Sequence, residues 1–242
     1  MMWFRAAVGT LPRVASAVWP RTCDAALAEA GAKGWRVDVP GRYCPRCGAS
    51  TGEGGYTADG CAFCVGKPIA WDGIIRLTAY TPPLSEWVVA MKFHGDWSWA
   101  TWFGKELAKQ ATDTGLFPRS AVCPVPIHFF RRFHRGYNQA ELIARAFAKA
   151  RGWPLVNLLR RTRHTKPQTS LPPSERQANV RDAFAMRRID PTGWDIWLID
   201  DVRTTGSTLT ACTKLLRHAG ARRIYVAVAA VADPKGADFK AI

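Results

Sequence analysis

The residues most suited to chemistry lie together at Asp200-Asp201-Val202-Arg203-Thr204-Thr205-Gly206-Ser207-Thr208. This stretch follows a wholly apolar run, Ile196-Trp197-Leu198-Ile199, and precedes an amphipathic segment with apolar residues at helical spacing. A strand that turns directly into a helix leaves unpaired N–H groups and a partial positive charge at the turn, which suits a phosphate. Thr204, Thr205, Ser207 and Thr208 add hydroxyl donors, and Gly206 lets the backbone approach an anion closely. Two adjacent carboxylates, Asp200 and Asp201, suit the 2- and 3-hydroxyls of a ribose. There is no G-x-x-x-x-G-K pattern, so this is not the loop of a nucleoside triphosphatase. The bland alternative is an ordinary strand-to-helix turn capped by Ser and Thr, which needs neither the paired acids nor four hydroxyl residues around a glycine.

A second constellation is Cys44-Pro-Arg-Cys47 followed after thirteen residues by Cys61-Ala-Phe-Cys64. Each pair places two thiolates on one tight turn, and Gly48 lets the first turn close. Gly52, Gly54, Gly55 and Gly60 suit a hairpin that brings the pairs together. Four sulfur ligands complete a tetrahedron, so the expected ion is a structural zinc held by Cys44, Cys47, Cys61 and Cys64. A redox dithiol or two incidental disulfides are the competing readings. Cys23 stands alone, and Cys123 and Cys212 read as core.

The 242-residue chain is 48% hydrophobic and carries a formal net charge of +15. Residues 119–190 hold fifteen Lys/Arg against four Asp/Glu, which favours a polyanionic partner over a neutral one. No run of apolar residues is long enough to span a membrane. Residues 1–20 weakly resemble a signal peptide, but Arg5, Pro12 and Arg13 interrupt the apolar stretch. The expected location is cytoplasmic.

The elements that must position these groups follow from periodicity. The pattern predicts strands over 74–77, 121–127, 196–199 and 224–231, and helices over 84–93, 99–111, 138–151 and 207–219. In the helix over 138–151 the expected face is Leu142, Ile143, Ala146, Phe147 and Ala150. In the last helix it is Leu209, Cys212, Leu215 and Leu216. Strands alternating with helices imply βαβ crossovers and a parallel sheet. The expected divisions are an irregular segment over 1–40, the cysteine module over 41–70, and an α/β domain over 71–242. Residues 160–180 lack periodicity, contain Pro167, Pro172 and Pro173, and read as a basic loop or lid. His128, His134 and His164 read as surface residues.

The stretch around Asp200 resembles the phosphoribosyl pyrophosphate (PRPP) motif of type I phosphoribosyltransferases, and the chain as a whole resembles the ComF family. The likeness rests on residues 197–208, the cysteine pairs and residues 80–93 (YTPPLSEWVVAMKF). It also includes Pro124-Val125-Pro126, residues 132–139 (RFHRGYNQ), and Gln168, Arg176 and Asn179. It implies a type I phosphoribosyltransferase-like parallel sheet flanked by helices, with a small N-terminal zinc ribbon. It further implies PRPP or ribose 5-phosphate as ligand, with magnesium accompanying PRPP. Asp200 and Asp201 would then hold the ribose, and Thr204, Thr205, Gly206, Ser207 and Thr208 the 5-phosphate. Arg163, Lys166 and Arg176 would face the pyrophosphate, with Arg131, Arg132 and Arg135 as further candidates. Members often carry an additional N-terminal cysteine pair, of which only Cys23 is present here. The family's association with single-stranded DNA uptake during natural transformation implies single-stranded DNA and DNA-uptake machinery proteins as partners. No residue identifies an acceptor base. Two readings therefore stay open: a PRPP-binding protein acting in DNA uptake, and a small-molecule phosphoribosyltransferase without a DNA role.

Overall fold

A computed structural model describes residues 22–111, 119–127, 137–162 and 183–233. The chain divides into two compact units, residues 1–35 and 36–242. In the first, the segment expected to be irregular contains a ten-residue helix, α1 (Cys23–Ala32), whose N-cap Thr22 accepts a hydrogen bond from Ala25 N at 3.3 Å. Alanine at 25, 26, 28, 30 and 32 gives helix propensity without an apolar stripe, so periodicity missed it.

In the second unit, Gly-rich turns shape β1 (Tyr56–Thr57) and β2 (Gly60–Cys61) into a small antiparallel hairpin. Next come β3 (Gly73–Ala79), α2 (Leu84–Phe93), α3 (Ser98–Gln110), β4 (Ser120–Pro124) and α4 (Gln139–Arg151). The chain continues through β5 (Leu159–Arg161), β6 (Phe184–Met186), β7 (Asp195–Arg203), α5 (Ser207–His218) and β8 (Arg223–Val231). The strands β3, β8, β7 and β4 lie in that order, all parallel. Beyond β4, Val122 N donates to Pro154 O and Val156 N to Val122 O, adding a single parallel rung at Leu155. Pro124 lacks an N–H and ends β4 earlier than expected, although Val125 N still donates to Ile199 O at 2.9 Å.

Alternation along β7 splits the core. Ile196 and Leu198 join Leu209, Cys212 and Leu216 of α5 on one face. On the other, Trp197 stacks on Tyr225 and meets Phe147 of α4 at 5.5 Å between ring centroids. The buried face of α4 is Ala140, Ile143, Ala144, Phe147 and Ala148, rotated from the expected one, with Ala150 exposed. Gly104 explains that rotation: a Cβ there would lie 2.5 Å from Ile143 O, so α3 and α4 meet backbone to backbone. In α5 Thr213 is buried, whereas Leu215 is only half-buried.

Two buried charges fasten this unit. Asp195, fully buried at the start of β7, is clamped by Arg222 at 2.7 Å and Arg223 at 3.1 Å. Burial alone would raise its carboxyl, but these guanidinium bonds hold it below the usual range. Arg76 of β3 is 1% exposed and binds Asp38 at 2.8 Å and Ser50 Oγ at 2.7 Å. No described helix is long and apolar enough to cross a membrane.

Candidate functional site

The chain leaves β4 through α4 toward the outer rung at Leu155, and leaves β7 through α5 toward β8 on the other side. The carboxyl ends of β4 and β7 therefore flank a switch point, where open parallel sheets bind ligands. Asp200 and Asp201 lie at this end. The strand expected over 196–199 runs on through them: β7 continues to Arg203, with Asp200 opposite Val228 and Arg203 opposite Val231. Only Thr204, Thr205 and Gly206 form the turn before α5.

The turn is built for close approach. Gly206, the α5 N-cap, is left-handed with φ 78°, and a Cβ there would lie 3.2 Å from the Trp71 ring. Thr205 Oγ1 and Ser207 Oγ are 2.8 Å apart, and Ser207 N donates to Thr205 Oγ1 at 3.4 Å. Thr205 is exposed, while Thr204, Ser207 and Thr208 are half-buried around the helix N-terminus. The arrangement offers hydroxyls and a helix end to one anion.

Each carboxylate has its own surroundings. Asp201 Oδ1 is 3.1 Å from Lys92 Nζ, both side chains being largely buried. Asp200 Oδ1 accepts from Asp201 N at 2.9 Å. Burial, with the Asp201 charge adding to it, pushes the Asp200 carboxyl up to about 7, against the pull of that amide and of Lys92 and Arg161. The Tyr80 phenol is also raised, first by burial and then by the Asp201 charge, which places Tyr80 in the same electrostatic neighbourhood. Two carboxylates, two cations and a phenol thus face the end of β7.

The four cysteines form the second centre. Their sulfurs lie within 4.8 Å of one another, and all are buried. Cys44 to Cys64 and Cys47 to Cys61 are each 3.6 Å, and Cys61 to Cys64 is 3.9 Å. A tetrahedral ion with metal–sulfur bonds of about 2.3 Å requires edges of about 3.8 Å, whereas a disulfide needs about 2.05 Å. The cluster can hold one structural metal ion. Gly48 turns at φ 78° against Val231 and Ile74. Pro45 O accepts from Ile74 N at 2.9 Å, and Arg46 O from Trp71 Nε1 at 2.8 Å. The same Trp71 ring supports Gly206, so one side chain joins the metal knuckle to the turn below α5.

Arg163, Lys166 and Arg176 lie outside the described residues, as do Arg131, Arg132 and Arg135. The stems of the expected lid are described: Leu159–Arg161 pairs antiparallel with Phe184–Met186, so Arg160 and Arg161 are strand residues. Arg161 lies over the Phe184 ring at 5.1 Å. Sequence reasoning missed Lys92, Tyr80, Arg161 and Trp71 as parts of the site. Lys92 and Tyr80 fall within the segment over 80–93 that carried the family likeness, which was the available signal. Cys123 and Cys212 are fully buried core residues, as read.

The chain matches no protein-family model. It is 33% identical over 196 residues to Competence protein F of Haemophilus influenzae, covering 76% of this chain and 82% of that one. DNA utilization protein YhgH of Salmonella typhi is 31% identical over 189 residues, covering 76% and 81%. Competence protein ComFC of Bacillus subtilis is 26% identical over 189 residues, covering 75% and 74%. Among solved structures, glutamine PRPP amidotransferase from B. subtilis covers 53% of this chain and 25% of its own, with 20% identity and a TM-score of 0.36. A likeness at that level carries no part of the assignment. The identity and the mutual coverage shared with Competence protein F, together with the four-cysteine cluster, place this chain in the ComF family.

Proposed function

We propose that this chain binds PRPP at the carboxyl end of β7 and acts in the handling of single-stranded DNA during its uptake. The observation that carries the binding half is the order of groups along β7 and α5. Two carboxylates stand at the end of a central parallel strand, and a hydroxyl-rich, left-handed turn leads into a helix N-terminus. In this reading Asp200 and Asp201 take the ribose hydroxyls, and Thr204, Thr205, Gly206, Ser207 and Thr208 take the 5-phosphate. Arg163, Lys166 and Arg176 face the pyrophosphate. A polyphosphate brought beside two carboxylates needs a divalent cation to offset the repulsion, so magnesium enters with the ligand. The metal at Cys44, Cys47, Cys61 and Cys64 is zinc, the ion whose preferred bond length and ligand set match the sulfur spacing. A metal site built from four thiolates suits a reducing, cytoplasmic location. The DNA half rests on the relatives named for competence and DNA utilization and on the charge of +15.

Phosphoribosyl transfer is a second reading, favoured by the carboxylates themselves. As a nucleophile attacks C1 and the bond to pyrophosphate breaks, positive charge develops on the ribose, and adjacent carboxylates stabilise it. In that reading the protein is a small-molecule transferase. Pyrophosphate release with magnesium, PRPP and a panel of bases separates transfer from binding alone.

The test of binding is thermal unfolding with magnesium and PRPP. Ligand at a hundred times its dissociation constant adds roughly 2.7 kcal/mol, or about 5–10 °C for a domain of this size. Asp200→Asn combined with Asp201→Asn should remove that ligand-induced shift while the protein still unfolds cooperatively. A double variant that responds to PRPP like the parent would place the ligand elsewhere.

A further inference from the structure

Arg203 ends β7 between the two centres, with Ala232 N donating to its carbonyl at 2.9 Å. It lies opposite Val231, whose Cγ2 is 3.0 Å from where a Cβ on Gly48 of the metal knuckle would stand. Toward the phosphate turn, Arg203 Nε is 3.5 Å from where a Cβ on Gly206 would project. The Trp71 ring lies 3.2 Å from the same point, so the two side chains together back the turn at Gly206. Arg203 Nε is buried and has no hydrogen-bond partner among the described residues. Burial works against its guanidinium charge, and the charges of Cys47, Asp233, Cys64 and Cys44 work for it. Asp233 is shared: it accepts from Ser50 N at 2.8 Å and stands 3.5 Å from Arg76 Nη1.

We infer that Arg203 is a positioning residue joining the metal centre to the phosphate turn, its charge answering the thiolates and its stem bracing Gly206, so that metal and ligand favour one another. A divalent ion leaves four thiolates with a net negative charge, and a buried guanidinium needs an anion. Each therefore supplies what the other lacks. Packing alone does not call for arginine here, because an apolar side chain would support Gly206 without the cost of a buried charge. Groups outside a ligand shell commonly set how firmly the ligands hold a metal. A turn held by a bound phosphate cannot yield, so the guanidinium behind it keeps its place beside the cluster. By linkage, a metal-loaded knuckle holds the turn for the phosphate to the same degree. The inference rests on the proposed PRPP site and on metal at the four cysteines, and names the residue through which each feels the other.

The test is the zinc affinity of the full chain, read by competition with a chromophoric chelator in magnesium, with and without PRPP. The proteins are the parent, Arg203→Met, Arg203→Lys and the double variant Asp200→Asn/Asp201→Asn. PRPP should tighten zinc binding by the parent about 5-fold or more. Without PRPP, Arg203→Met should weaken zinc binding about 10- to 100-fold, and Arg203→Lys, which keeps the charge, should recover most of that loss. Arg203→Met should still show a PRPP-induced thermal shift, but its zinc affinity should no longer respond to PRPP. The double variant reports any direct capture of zinc by PRPP, and that contribution is subtracted. A parent that shows the thermal shift but whose zinc affinity ignores PRPP would overturn the inference alone, whether or not the variants fold. An Arg203→Met protein that responds like the parent would assign the coupling to Trp71 and also overturn it. A parent without the thermal shift would overturn the PRPP reading and the inference with it.

Discussion

Asp200→Asn should make the ligand-free protein more stable at pH 8 than at pH 5, relative to the parent. Burial and the neighbouring Asp201 charge raise the Asp200 carboxyl from 3.8 to about 7 in the folded protein. Between those values the folded state holds a proton that the unfolded chain has released, so the parent loses stability as pH rises. The loss is absent below about pH 4 and complete above about pH 7, and reaches up to about 4 kcal/mol. Roughly 2–3 kcal/mol of it accrues between pH 5 and pH 8, and residual water contact at the half-buried side chain lowers that figure. Asparagine has no proton to release, and its Oδ1 can still accept the bond from Asp201 N that Asp200 accepts at 2.9 Å. At about 2–4 °C per kcal/mol, the variant's advantage in Tm should widen by about 4 °C or more from pH 5 to pH 8. Scanning parent and variant in matched buffers cancels every other titrating group. An advantage of equal size at both pH values, or none at pH 8, would refute the reasoning. The same variant should lose its response to PRPP, since Asp200 is one of the two carboxylates proposed to take the ribose hydroxyls.

Cys44→Ser should reduce bound metal from one ion per chain to none by elemental analysis, since four thiolates complete the site. Because Trp71 spans from Arg46 O to Gly206, metal removal by a chelator should also weaken PRPP binding. Gly206→Ala should destabilise by about 1–2 kcal/mol from its left-handed backbone alone, and its Cβ, 3.2 Å from Trp71, should reduce the PRPP-induced shift. Gly104→Ala should destabilise by about 1–3 kcal/mol in urea unfolding by forcing α3 from α4, with ligand response retained in the folded fraction.

The parts of the fold legible in the sequence were those that local pattern determines. The helix over 84–93 coincides with Leu84–Phe93, and that over 207–219 with Ser207–His218, because each carries apolar residues at helical spacing and Gly220 follows the second. The apolar run over 196–199 gave the central strand but not its length. Asp200 to Arg203 look like loop by composition, yet the ladder to β8 holds them extended. Hydrogen bonding to a distant strand overrides local propensity, and no window of sequence contains it. The buried face of α4 was misjudged for a related reason. Periodicity gives a stripe, but Gly104 on another helix decides which side of it is pressed.

The site shows the same division between groups and their settings. Acids, hydroxyls and thiols could be named from spacing, since each motif is contiguous. The raised carboxyl of Asp200 comes first from burial and then from the charge of the adjacent Asp201, and of these only Asp201 is contiguous with it: the packing around the end of β7, and the opposing pull of Lys92 from α2 and Arg161 from β5, are not. Likewise the cysteines predict a metal, but not that Trp71 carries its knuckle's contact to Gly206, because that requires Arg46, Trp71 and Gly206 to converge. Arg76, a charge within an otherwise apolar strand, follows the same logic. Its partners Asp38, Ser50 and Asp233 are remote in sequence, and without them a buried guanidinium would be prohibitive. A charged residue inside an apolar strand therefore implies acids elsewhere in the chain. Here those acids come from both sides of the sheet's sequence, which binds the cysteine-bearing segment and the end of β8 to the same strand.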